Sequence, residues 1–100
     1  MTDKELLELA AKAAGIEEQI FIPLTQPYGY YWNPLTSNAD AFQLMVKLSI
    51  RVRPYVGNED DFTTVTFDDH DRMTLDHNGD ALAATRRLIT MAAAEIGKGM

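Results

Sequence analysis

The chain contains no cysteine, which excludes disulfide staples, thiol nucleophiles and thiolate metal sites together. Glycine is sparse, with six residues, and none of them builds a phosphate-cradling loop. Long apolar runs are also missing. No segment approaches the length of a membrane span, and the N-terminal MTDKELLELAAKAAG carries charges through its first turns instead of the apolar core of a signal peptide. The expected location is the cytoplasm. Positive charge is scarce: nine Lys and Arg stand against fifteen Asp and Glu, a net charge of −6. So acidic a chain repels phosphate backbones, and neither unaided nucleic-acid binding nor anionic-membrane binding is expected.

What is present is an ordinary globular composition, 46% hydrophobic and 24% charged over 100 residues. That length predicts a single domain, 1–100, built around one core. The negative charge is concentrated. Between Gly57 and Asp80 eight acidic residues face Arg72 alone, while the rest of the chain is close to neutral.

Thr2 and Glu5 have the spacing of a capping box, and Leu6, Leu9, Ala10 and Ala13 recur at helical intervals, predicting a helix from about Asp3 to Ala14 that Gly15 ends. Three prolines and a glycine between Glu17 and Leu35 exclude a long helix there. Gln19 to Ile22 could form a short edge strand, and 27–36 reads as an aromatic and proline-rich loop. Ser37 is placed to cap a second helix by accepting from the amide of Asp40. Its buried stripe should hold Ala41, Leu44, Met45 and Leu48, widened by Phe42 and Val46.

Three alternating runs follow, SIRVRPYV, FTTVTF and RMTLDH, each with one apolar face, joined by short acidic turns. They predict an antiparallel meander whose other face, rich in Arg and Thr, meets water or a partner. After the turn HNG a last helix begins near Asp80, buries Thr85, Leu88, Ile89, Ala92 and Ile96, and stops before Gly97. The fold class is therefore α+β: an antiparallel sheet of three strands, or four with Gln19 to Ile22, packed with three helices in the order α-(β)-α-β-β-β-α.

At WNPLTSNADAFQLMVKL the residues Trp32, Asn33, Pro34, Leu35, Asn38, Asp40, Ala41, Leu44, Val46 and Leu48 resemble the middle motif of a small phage and prophage family, an α/β/α-sandwich domain of unknown function. The alanine-rich last helix with Arg86 is similar to that family's C-terminal helix. The resemblance implies a phage or prophage origin and brings no biochemical activity with it. It also implies helices on both faces of the sheet, whereas the strand patterns favour two layers unless the first helix covers the polar side.

Candidate chemistry is thin. His70 in DDHDR and His77 in LDHNGD lie among carboxylates, yet their spacing closes no metal motif; an EF-hand loop opening at Asp76 would place Arg87 where its bidentate acid belongs. Of the two serines, Ser37 is a cap and Ser49 lacks a nucleophile elbow. No catalytic residue, metal or cofactor is predicted. Trp32 and Leu35 should anchor the aromatic loop to the core, leaving Tyr28, Tyr30 and Tyr31 as candidate contacts. With the acidic run of Glu59, Asp60, Asp61, Asp68, Asp69 and Asp71 they would bind a host or phage protein, one with a basic surface. The alternatives are a self-associating assembly component and a small metal-dependent enzyme using His70 and His77.

Overall fold

The computed structural model describes residues 2–15, 32–57, 60–67 and 71–100. The expected strand at 19–22, the three tyrosines 28, 30 and 31, Glu59, Asp68, Asp69 and His70 lie outside them.

Helix α1 spans Asp3–Ala14 and opens with the predicted capping box, the amide of Glu5 donating to Thr2 while the Glu5 carboxylate reaches back. Gly15, at φ 73°, takes the left-handed turn that ends it. Helix α2 spans Asn38–Lys47, capped by Ser37. Strands β1 (Arg51–Val56), β2 (Asp61–Phe67) and β3 (Asp71–Asp76) form a three-stranded antiparallel sheet in the order β1-β2-β3. Helix α3 spans Ala81–Lys98, with Asp80 accepting from the amide of Ala83 at its start. The architecture is α+β, in the order α-α-β-β-β-α.

Register settles which side of the sheet faces the core. Val52, Val65 and Met73 align across the three strands, as do Pro54, Thr63 and Leu75, so the apolar members of each run share one face. α3 lies across that face, chiefly over the central strand β2. Thr90, Ala92, Ala93 and Ala94 are all buried. Residues so close in sequence cannot share one side of a helix, so α3 is covered on more than one. The second cover is α1, which packs on α3 through Ala10, Ala11 and Ala14. Among the described residues the layers run sheet, then α3 with α2 beside it, then α1; the first helix does not cover the polar sheet face.

Three expectations need correction. Phe42 and Val46 do not widen the buried stripe of α2: they are 62% and 59% exposed, because α2 meets α3 along one edge only. Pro54 and Val56 on β1 are also exposed, since α3 leaves that edge strand largely uncovered. Finally, α3 does not stop before Gly97 but continues to Lys98. Gly97 is there for clearance, since a Cβ at that position would overlap the backbone carbonyl of Leu9 in α1.

The WNPL segment forms a tight entry to α2. Trp32 is 4% exposed, and Pro34 is buried beside it, the anchoring expected of Trp32; Leu35 is half-buried. The Asn33 side chain accepts from the amide of Leu35 at 3.0 Å, and the backbone amide of Asn33 donates to the buried Asp40 carboxylate at 2.9 Å. From α3, Arg86 donates to the carbonyl of Leu35 at 2.9 Å and to the Asn38 side chain at 2.7 Å. Arg87 pairs with Asp3 of α1. Both arginines are thus committed to holding the fold together.

Candidate functional site

Two arrangements carry polar chemistry. The first is a buried relay at one end of the sheet. Asp61, His77, Thr63 and Thr85 form a chain: Asp61 Oδ1 to His77 Nδ1 at 2.7 Å, His77 Nε2 to Thr63 Oγ1 at 2.7 Å, and Thr63 Oγ1 to Thr85 Oγ1 at 2.9 Å. The turn after β3 makes this possible. Asn78 and Gly79 take positive φ values of 52° and 88°, and the amide of Asp80 bonds back to the carbonyl of His77. Two successive positive φ values are what a type I′ turn requires. The turn folds His77 under the first turn of α3, where it is 3% exposed.

The atom order carboxylate, imidazole, hydroxyl is that of acyl-transfer triads. Access decides otherwise. Thr63 is 0% exposed beneath α3 and its hydroxyl is already shared with Thr85, so no carbonyl can approach it. A neutral imidazole donating to Asp61 and accepting from Thr63 gives every member a partner, and no buried side-chain polar atom is left without one among the described residues. A shallow groove beside it, about 390 Å³, is lined by Leu35, His77, Ala84 and Arg87 and not by Thr63. The relay is a tie between β2, the turn and α3. Sequence reading had offered His77 only as a metal ligand; among the described residues no group of three or more His, Asp and Glu is placed to hold a metal ion.

The second arrangement is the outer face of the sheet. Arg51, Thr66 and Arg72 form one row across the three strands, and Arg53, Thr64 and Thr74 the next. A third row holds Tyr55, Phe62 and Asp76. The three arginines are exposed, and among the described residues none makes a hydrogen bond or an ion pair with a carboxylate. Arg53 lies over the Tyr55 ring, 5.8 Å from its centroid, and that ring packs on Phe62 with centroids 4.7 Å apart. At the centre the hydroxyls of Thr64 and Thr74 meet at 3.2 Å. β-branched and aromatic residues suit a pleated surface, and strand pairing holds all nine positions on one plane.

Of the acidic residues proposed from sequence, Asp60, Asp61 and Asp71 are described, and Asp71 lies apart from the other two. Asp61 begins β2, and Asp71 pairs with Phe67 at its far end, a strand length of about 20 Å away. Asp61 is also engaged by His77. Asp60 is exposed next to it. The strand patterns already mark this face as rich in Arg and Thr; what they leave open is how its arginines align across the strands. The alternation of SIRVRPYV puts Arg51 and Arg53 on one side, but which row Arg72 joins depends on the register across two turns.

A third feature is an apolar groove of about 190 Å³ between α2, α3 and β1, lined by Phe42, Met45, Val52, Leu82 and Ile89. No family model matches the chain, and none of the curated proteins or solved structures matches it significantly.

Proposed function

We propose that the protein works without catalysis, by holding another macromolecule against the outer face of its sheet. The observation that carries this reading is the set Arg51, Arg53 and Arg72, three exposed guanidiniums on one face that have no carboxylate partner among the described residues. Exposed arginines on a packed sheet are available for a ligand at little conformational cost, because the backbone that presents them is already fixed. The burial of Thr63 supports the same reading, since the Asp–His–hydroxyl chain cannot reach a substrate.

The resemblance of the Trp32 to Leu48 segment to a phage and prophage family supplies the setting, that of an accessory protein acting in the host cytoplasm on a host or phage component. The test is affinity capture from infected cells with the wild-type chain and with the triple variant Arg51→Glu, Arg53→Glu, Arg72→Glu, recording protein and nucleic acid alike. A component retained by the first and lost by the second, at unchanged circular dichroism, supports the role; identical recoveries sink it.

The apolar groove favours a second reading, self-association. A copy seated there would cover Phe42 and Leu82, which are 62% and 64% exposed. Sedimentation giving only the 11.2 kDa monomer at high concentration would remove it.

A further inference from the structure

We infer that the occupant of the outer sheet face is a single-stranded nucleic acid, an inference that rests on the binding role proposed above. Charge is the first argument. Counting Arg51, Arg53 and Arg72 against Asp76, the nine outer-face positions carry +2 on a chain whose net charge is −6. The whole-molecule field opposes every anion, acidic protein and nucleic acid alike, so it does not choose between them; local contacts do.

Spacing is the second. Arg51 and Arg53 are two residues apart on one strand, about 7 Å, and Arg72 lies two strands away, about 10 Å. The side chains of Thr66 and Thr74 lie between and beside them as hydroxyl donors. A phosphodiester chain crossing the strands meets a guanidinium or a hydroxyl at each step.

The aromatic row is the third. Tyr55 and Phe62 are half-buried against each other, and ring surface on an open sheet is what unpaired bases stack on. Asp76 is aligned with Phe62 and exposed, placed to accept from an exocyclic base amino group, as a carboxylate does from cytosine N4. A protein partner is the poorer fit, because a folded protein does not offer the regular run of backbone phosphates that this spacing of guanidiniums and hydroxyls would follow. A duplex fits less well still, since its bases are already stacked.

The test is fluorescence anisotropy with a short labelled oligocytidine, as DNA and as RNA, over a range of salt. Wild type should bind with a log–log salt slope of about −2, from roughly 0.7 per phosphate contacted by three arginines. Each of Arg51→Ala, Arg53→Ala and Arg72→Ala should flatten that slope by about 0.7. Phe62→Leu should weaken binding by about fivefold or more with the slope unchanged. Thr74→Glu, at an exposed position that leaves the core intact, should abolish binding while the far-ultraviolet spectrum stays the same. Poly-glutamate is the discriminating probe. If it binds in place of the oligonucleotide, with the same arginine dependence and no effect of Phe62→Leu, the nucleic-acid inference falls while the binding face stands. If neither polymer binds at low salt, the nucleic-acid inference falls, and the binding face stands or falls on the capture experiment with the triple arginine variant.

Discussion

The hydroxyl of Thr63 lies 2.7 Å from Nε2 of His77, and the two residues are 0% and 3% exposed. A threonine from the central strand and a histidine from the turn after β3 thereby complete each other's hydrogen bonding beneath α3. Thr63→Val preserves the shape and removes the hydroxyl, leaving Nε2 of a buried imidazole and the Thr85 hydroxyl without this partner. The expected cost is about 1–3 kcal/mol. Urea denaturation should show a lower midpoint at unchanged m. A midpoint equal to wild type would mean that the relay does not hold the turn to the sheet. Asp61→Asn should cost less, because the Asp61 side chain is 62% exposed and water can replace it.

Gly97 and Gly99 sit two residues apart at the end of α3 and should respond differently to the same change. A Cβ on Gly97 would collide with the backbone of Leu9, whose carbonyl carbon would be 2.9 Å away. A backbone cannot swing aside as a side chain can, so Gly97→Ala must separate α1 from α3. Overpacking of this kind costs about 1–3 kcal/mol. At Gly99 the nearest atom would be an ordinary 3.6 Å away, with φ at −83°, and alanine should be neutral or slightly stabilising. Thermal melting of the two variants side by side checks this, and equal melting temperatures would contradict the close helix crossing.

Much of this was legible in the sequence because it depends on local chemistry. The capping box of Thr2 and Glu5, the Ser37 cap, the Gly15 stop and the three alternating strands are signals contained within a few residues, and each forms as written. What was not legible depends on relations between elements. Gly97 reads as a stop only if α1 is ignored; once α1 crosses there, the same glycine is clearance within a helix. His77 and Asp61 are sixteen residues apart and meet because the strands between them pair in one register. The net charge of −6 carries no information about distribution, which strand pairing decides: it collects Arg51, Arg53 and Arg72 on one face and puts Asp61 and Asp71 at opposite ends of the sheet. Helical periodicity likewise marks Phe42 as apolar but cannot say that its neighbour in space is missing.

That last point is measurable. Phe42→Ser removes a large side chain that is 62% exposed, and its effect on unfolding free energy should stay within about 0.5 kcal/mol. Leu44→Ala, two residues on and 2% exposed, should cost about 2–5 kcal/mol through lost burial and the cavity left behind. If Phe42→Ser proved as damaging as Leu44→Ala, α2 would have to pack more deeply than its exposed face indicates. If Phe42→Ser left stability alone but abolished a concentration-dependent dimer in sedimentation, the groove beside Leu82 would gain its function.

The end of α2 offers a change in the stabilising direction. The amide of Ile50 bonds to the carbonyl of Met45 at 3.0 Å, and that of Ser49 to Val46 at 3.3 Å, the paired bonds of a Schellman motif with Ile50 as its buried apolar partner. The residue that turns the chain is Ser49, at φ 55°. In that left-handed region a Cβ crowds the following carbonyl, at a cost of about 1–2 kcal/mol. Glycine would relieve that strain and would itself lose more backbone entropy on folding, about 0.5–1 kcal/mol. Ser49 is exposed and takes part in no side-chain hydrogen bond among the described residues, so nothing else is forfeited. Ser49→Gly should therefore stabilise the protein by up to about 1 kcal/mol, by the difference of those two terms. The check is a higher denaturation midpoint with m unchanged. A lower midpoint would mean that the serine conformation carries no strain and that α2 ends by a different turn.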